Sequence, residues 1–98
     1  MEGIFFVKSV GTLENYENKN GEKNDKLSLI ISTKEIRSSD NGLYAADQDF
    51  SVIVYGKLAT EFSLKPGDWF CGSLNMTARK GQNNIVFQDM KLYRYVRL

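Results

Sequence analysis

The side chains in this sequence that could do chemistry are aromatic rings and cations rather than nucleophiles or metal ligands. The 98 residues include no histidine and one cysteine, Cys71. Zinc sites use Cys and His ligands, and Ser or Cys nucleophiles are commonly activated by histidine, so no metal site or cofactor is predicted. Asp47 with Asp49, or Asp89, could act as acids or bases, but no motif surrounds them and solvated carboxylates explain them. We therefore expect a protein that is not an enzyme.

Aromatic and basic residues are interleaved near the end of the chain. Lys91, Arg94 and Arg97 alternate with Tyr93 and Tyr95. Single-stranded nucleic acids are bound by this mixture, because each base that stacks on a ring contributes ~1–3 kcal/mol and each cation at a phosphate releases a counterion. The same pattern is also typical of an edge strand that covers another subunit.

The basic residues are concentrated in the second half of the chain. Residues 1–50 hold six Lys and Arg against nine Asp and Glu, a net charge of −3, whereas residues 51–98 hold seven against three, a net charge of +4. The whole chain carries +1. Such a distribution can support nucleic-acid binding, and it also occurs on solvated surfaces without a binding role.

Length and composition indicate one domain over residues 1–98. The chain is 42% hydrophobic and 26% charged, which is ordinary for a soluble globular protein. No apolar run approaches the ~18 residues that span a bilayer, and residues 1–10 do not resemble a signal peptide. We expect no membrane contact and a cytoplasmic location.

Alternating apolar and polar residues predict five β-strands and one short helix. The helix is predicted over residues 57–64, where Leu58 and Phe62 lie four apart before Pro66. Five strands without a parallel crossover through long helices indicate an all-β, five-stranded OB-fold Greek-key barrel, with the helix between the third and fourth strands. The predicted strands cover residues 3–13, 26–36, 50–55, 69–79 and 85–98.

The alternation also predicts which side chains face the core. Leu27, Leu29 and Ile31 share one face of the second strand. In the fourth strand Gly72 is expected to allow a sharp bend or a bulge. The predicted core face of that strand holds Phe70, Gly72, Leu74, Met76 and Ala78.

Residues 52–59, VIVYGKLA, resemble the strand-to-helix junction of the bacterial single-stranded-DNA-binding proteins. In that family a β-branched strand ends in an aromatic residue followed by Gly-Lys-Leu-Ala, between the third and fourth strands of an OB-fold barrel. The resemblance implies that Tyr55 stacks on DNA, and that Arg79 and Lys80 form a basic tip between the last two strands. It is looser over residues 27–79.

The sequence also departs from that family. The positions of its main stacking tryptophans correspond here to about Ile36 and Gly81, and residues 95–98 do not form its acidic tail. A short barrel with tyrosine and phenylalanine in place of tryptophan looks more like the small helix-destabilising proteins of phages and plasmids. Those proteins work as homo-oligomers, so the resemblance implies a dimer, with a tetramer as second choice.

An OB barrel typically binds its ligand over the second and third strands and the flanking loops. Phe50 has the alternation of Val52 and Val54, so packing in the core is its alternative role. An oligomer interface is predicted at Trp69, Tyr93 and Tyr95, with DNA contact as the alternative. The candidate nucleic-acid-binding residues are Tyr16, Lys26, Lys34, Arg37, Tyr44, Phe50, Tyr55, Arg79 and Lys80.

These patterns support two hypotheses about function. The first is a non-catalytic protein that coats single-stranded DNA, or alternatively RNA, without strong sequence preference during replication, recombination or conjugative transfer. The second is an OB-fold module that binds protein, such as an accessory subunit of a replication or primosome complex. Tyr55 and the basic second half favour the first hypothesis. The missing tryptophans and the nearly neutral net charge favour the second.

Overall fold

The computed structural model describes the backbone of all 98 residues and every side chain except those of Arg79, Asn84 and Phe87. None of the helices in this described part has the length and hydrophobicity that a membrane-spanning helix needs. The elements in chain order are β1 (Glu2–Val10), β2 (Glu14–Glu17), β3 (Lys23–Ser39), β4 (Gly42–Tyr55), α1 (Lys57–Thr60), β5 (Trp69–Lys80), a 3₁₀ turn (Gln82–Asn84) and β6 (Val86–Arg97).

Five of the strands close into a barrel. Neighbouring strands follow the order β1, β5, β6, β4 and β3, and β3 returns to pair with β1. All of these pairings are antiparallel except β4 with β6, which are parallel and meet at Ile53 and Lys91. The predicted OB-type barrel is confirmed, with α1 between the third and fourth barrel strands. The sequence did not predict β2, which pairs with the start of β3.

The core consists of apolar side chains that alternate along the barrel strands. Leu27, Leu29 and Ile31 of β3 are buried, as predicted, and face Phe70 and other buried residues of β1, β4, β5 and β6. Burial of this apolar surface is the main driving force for closing the sheet. The helix α1 and the segment after it contribute Ala59 and Leu64 to the same core.

Two hairpins continue beyond the barrel. In the β3–β4 hairpin Ile36 and Leu43 are both 78% exposed, and in β5 the side chain of Met76 is 56% exposed. The prediction that Met76 and Ala78 face the core is therefore wrong. Alternation continues along β5, but past Leu74 no core lies behind the sheet, so both faces meet solvent. The molecule is accordingly elongated, at 55 × 37 × 21 Å.

Gly72 lies at a point in β5 where the neighbouring core side chains leave little room for a side chain. A Cβ atom there would be 2.8 Å from the Phe70 ring and 3.1 Å from a Leu92 methyl group. The register between β5 and β6 then shifts between Ser73 and Leu74, and Tyr93 is the residue that it skips. The bend or bulge was predicted in the strand that holds Gly72, whereas the extra residue lies in the partner strand β6.

Candidate nucleic-acid interface

The outer face of the paired strands β3 and β4 carries polar side chains beside aromatic or apolar ones. Side chains that point away from the core oppose one another in register, with Lys26 beside Tyr55 and Ser28 beside Ile53. Tyr55 is the last residue of β4, and Gly56 turns the chain into α1 with a positive φ of 67°. The Gly56 amide donates to the Asp25 carbonyl oxygen at 2.7 Å. This bond fixes the strand end that carries Tyr55 against β3.

A second tyrosine lies against Tyr55. Because β2 pairs with β3, Tyr16 is placed opposite Asn24, whose amide nitrogen donates to the Tyr16 hydroxyl at 3.3 Å. The rings of Tyr16 and Tyr55 meet edge to face, with centroids 5.8 Å apart and an interplanar angle of 68°. The structure thus brings together two of the tyrosines that the sequence singled out.

Two lysines accompany these rings. The Lys26 ammonium lies 5.8 Å from the centroid of the Tyr16 ring, and the Lys91 ammonium lies 5.2 Å from that of Tyr55. We call Tyr16, Lys26, Tyr55 and Lys91 the aromatic–lysine cluster. Lys91 is recognisable from the sequence only as part of the last strand, because its neighbour Ile53 is reached through the parallel β4–β6 pairing.

An open cleft of about 500 Å³ adjoins the cluster. Its lining includes Lys19 and Ile53, together with the acidic residues Glu17 and Asp89. Glu14 lies 3.8 Å from the Lys26 ammonium. The cleft therefore combines stacking surface with a positive charge that nearby carboxylates reduce.

Further along the same outer face, Lys34 is engaged by a carboxylate. It lies opposite Asp47 in register and donates to that carboxylate, and Lys8 of β1 reaches Asp47 at 2.7 Å and Asp49 at 3.8 Å. Hydrogen bonds from Lys34 and then Lys8 hold the pKa of Asp47 below its ordinary 3.8. The bond to Asp47 likewise raises the pKa of Lys8 above 10.5. Much of the charge of Lys34 is thereby neutralised within the protein.

No protein-family model and no curated protein sequence matches this chain. Solved structures do match. The SSB of Plasmodium falciparum, in complex with ssDNA, aligns with 100% of this chain and 92% of its own at 17% identity and a TM-score of 0.55. The single-stranded DNA-binding protein of Thermus aquaticus, as a deletion mutant, aligns with 100% of this chain and 50% of its own at 12% identity and a TM-score of 0.58. The chain has the fold of the SSB proteins.

Within this SSB fold the hairpin candidates lie apart from the aromatic–lysine cluster. Arg37 and Tyr44 oppose each other on the β3–β4 hairpin, on the face opposite to Lys34 by the alternation of the strands, and Arg37 is 3.4 Å from Glu35. Lys80 is exposed near the tip of the β5–β6 hairpin. The predicted contact at Arg79 falls on a side chain outside the described part.

Phe50 packs inside the barrel. Its ring meets Phe5 edge to face at 6.2 Å and lies against the buried core. The ring is partly buried and packs against the core rather than standing free at the surface. The packing alternative for Phe50 therefore agrees with the structure, and we leave this residue out of the candidate interface.

The three residues predicted at an oligomer interface lie in different surroundings. Trp69 is 41% exposed, with its ring 4.8 Å from that of Phe6, and Tyr93 is 46% exposed. Tyr95 instead points inward, with its ring 5.2 Å from Phe62 and 6.2 Å from Phe70. The register skip at Tyr93 places Tyr95 on the core side, where it is partly buried. The oligomer contact predicted at these residues stays a prediction.

Proposed function

We propose that this protein binds single-stranded DNA without strong sequence preference and does so without catalysis. The observation that carries the proposal is the aromatic–lysine cluster, which lies over the outer face of β3 and β4 with one residue each from β2 and β6. In an OB barrel this is the surface on which nucleic acids are commonly bound. Two solved proteins with the same fold are described as single-stranded DNA-binding, which supports the choice of ligand.

In the proposed mechanism the aromatic rings stack on bases and the lysine ammonium groups neutralise phosphates. One base stacks on Tyr55, whose ring is in T-shaped contact with Tyr16. Stacking on tyrosine accepts every base, because every base has a flat face. Lys26 and Lys91 lie close enough to these rings to meet the phosphates on either side of that base. Neutralised phosphates release counterions, so binding is expected to weaken as salt is added.

The other predicted contacts extend the site. Lys34 is available once it exchanges Asp47 for a phosphate, and Arg37, Tyr44 and Lys80 provide contacts along the two hairpins. We place this activity in DNA replication, recombination or transfer, where single strands must be kept unpaired. RNA is the alternative ligand, and a module that binds protein is the alternative function.

The test is an anisotropy titration of labelled oligo(dT), oligo(U) and duplex DNA at low and moderate salt. We expect salt-sensitive binding to oligo(dT) and little binding to duplex. Tyr55→Ala should weaken oligo(dT) binding by about 1–3 kcal/mol. Lys65→Ala is the unchanged control, because Lys65 is exposed on the turn after α1 and lies outside the predicted sites. Folded protein that binds no oligonucleotide at low salt would favour the protein-binding alternative.

A further inference from the structure

A carboxylate lies between two lysines on the outer face of β1, β3 and β4. One oxygen of the Asp47 carboxylate accepts a hydrogen bond from the Lys34 ammonium, and the other lies 2.7 Å from the Lys8 ammonium. Both ammonium groups also lie over the ring of Phe6, at 5.5 Å for Lys34 and 5.8 Å for Lys8. We call Phe6, Lys8 and Lys34 the Phe6–lysine site. Like the aromatic–lysine cluster, it combines aromatic surface with two lysines, and the two sites share no residue.

The Asp47 carboxylate occupies the Phe6–lysine site in the way that a phosphodiester would. A phosphodiester also carries one negative charge and has two non-bridging oxygens, so each ammonium group can bind one oxygen. The side chain of Asp47 is 30% exposed, and those of Lys8 and Lys34 are 36% and 52% exposed. A strand on the outer face can therefore reach both lysines, but the site already holds an anion of the protein itself.

Strand pairing keeps Asp47 beside this site. Asp47 lies directly opposite Lys34 in the β3–β4 ladder, where the Cβ atoms of paired residues are only about 5 Å apart. A phosphate that takes the place of the carboxylate on Lys34 therefore stays close to that carboxylate, and the two negative charges repel each other. Hydrogen bonds from Lys34 and Lys8 hold the pKa of Asp47 below its ordinary value, so the carboxylate is charged at neutral pH. The exchange of Asp47 for a phosphate is thus opposed by Asp47 itself.

The Phe6–lysine site lies on the continuation of the proposed DNA path. Lys34 is on the same strand as Lys26 of the aromatic–lysine cluster and has the same alternation, so both side chains point to the outer face. At about 3.3 Å per residue the two positions are up to about 26 Å apart. Only a strand that extends well beyond the cluster reaches the second site.

We propose that Asp47 is an internal competitor of DNA phosphate, which fills the Phe6–lysine site and keeps a bound single strand from extending along β3 past the aromatic–lysine cluster. The ligand that it excludes is a phosphodiester group. The inference rests on the proposed function and adds to it a residue that limits the length of the contact. Asp47 then stabilises the fold and weakens DNA binding through the same two ion pairs.

The experiment compares wild type with Asp47→Asn in anisotropy titrations of oligo(dT) of about 16 and about 4 nucleotides, the range of site sizes of one OB fold. Asp47→Asn frees Lys34, whereas Asp49 remains 3.8 Å from Lys8. One additional phosphate contact should steepen the slope of log K against log salt concentration by about 0.7 and tighten binding of the longer oligonucleotide about 5-fold at about 0.1 M salt. The shorter oligonucleotide should bind as it does to wild type. Adding Asp49→Asn frees Lys8 as well and should double the change in slope to about 1.4.

Two further variants separate this effect from net charge and from stability. Glu2→Gln changes the net charge by the same amount and also frees a cation, Arg94, on the outer face of β1, β5 and β6, and it should leave the slope unchanged. Asp47→Asn combined with Lys34→Gln should return to the wild-type slope. Circular dichroism checks that each variant is folded, with Asp47→Ser as the replacement if Asp47→Asn is not. A loss of stability alone cannot tighten binding.

A second measurement uses pyrophosphate in place of DNA. Amide chemical shifts of Phe6, Lys8 and Lys34 are followed during the titration, and we expect saturable changes in Asp47→Asn and little change in wild type.

The outcomes distinguish this inference from the proposed function. If wild type binds oligo(dT) and Asp47→Asn binds it no more tightly, or if Glu2→Gln steepens the slope equally, the inference is overturned and the proposed function stands. If neither wild type nor Asp47→Asn binds oligo(dT), both are overturned. Pyrophosphate binding to Asp47→Asn alone would then assign the Phe6–lysine site to another anion.

Discussion

Tyr55 is held from two sides before any ligand arrives. The Tyr16 ring forms a T-shaped contact with it, with centroids 5.8 Å apart, and the Lys91 ammonium lies 5.2 Å from its centroid. A ring that is already ordered loses less conformational freedom when a base stacks on it. If a base stacks on Tyr55 as proposed, the two contacts would partly compensate for the smaller stacking area of tyrosine compared with tryptophan.

Asp47 forms ion pairs with two lysines, Lys8 and Lys34, and these pairs make its contribution to stability depend on pH. Its pKa is held below 3.8 by Lys34 and Lys8, so its contribution to stability is complete above the unfolded pKa and is lost as the pH falls through the lower folded pKa. Asp47→Asn should therefore lower the unfolding free energy at neutral pH, with the difference from wild type shrinking below about pH 4. Urea unfolding at a series of pH values measures this.

The loss of stability at alkaline pH tests the same ion pairs through Lys8. The pKa of Lys8 is raised by Asp47, so its stabilisation is complete below 10.5 and is lost as the pH rises through the folded value. In Asp47→Asn the alkaline loss should be reduced as well. A difference from wild type that is constant with pH would show that the ion pairs contribute little.

At the scale of elements, β5 depends on the absence of a side chain at Gly72. Gly72→Ala places a methyl group 2.8 Å from the ring of Phe70, which is fully buried among other core side chains. We expect a loss of about 1–3 kcal/mol in unfolding free energy from this overpacking. Chemical denaturation followed by tryptophan fluorescence measures the loss. An unchanged midpoint would mean that the Phe70 ring has room to shift.

The strands could be predicted from sequence wherever one face is buried and the other is wet. This holds for Leu27, Leu29 and Ile31. Alternation fails for β2, whose residues Glu14–Glu17 are mainly polar, because a strand paired outside the core needs no apolar face. It also fails at Met76, where the alternation continues but the core has ended.

The candidate site was less predictable than the fold, because its residues meet through pairings between distant segments. Tyr55 was found through the local sequence VIVYGKLA. Lys91 depends on the parallel contact of β4 with β6, and the inward position of Tyr95 depends on a register skip. Neither the strand pairing of Lys91 nor the register skip before Tyr95 can be predicted from a local sequence pattern. Phe50 shows the opposite case, since simple alternation already gave core packing as its alternative role.

At the scale of the whole molecule, the net charge of +1 limits how strongly phosphates can be held. With about two to four phosphate contacts, log K should fall against log salt concentration with a slope of about −1.5 to −3. Lys91→Gln should reduce the slope by about 0.7. Lys57→Gln is the control, because Lys57 lies on α1 and is paired with Glu61 at 3.8 Å.

Oligo(dT) titrations at several salt concentrations give this slope. A much steeper slope would mean that the hairpin cations contact the strand as well. A slope that Lys91→Gln and Lys57→Gln change equally would remove Lys91 from the phosphate path.

The barrel closes between β4 and β6 through the parallel contact of Ile53 and Lys91. Parallel pairing is slightly less stable per residue than antiparallel pairing, so this seam is where we expect the barrel to open first in local fluctuations. Tyr55 stands on one side of the seam and Lys91 on the other. A strand of DNA bound by both Tyr55 and Lys91 would connect β4 to β6. Because it would bind only the closed barrel, it would suppress the opening of the barrel by mass action.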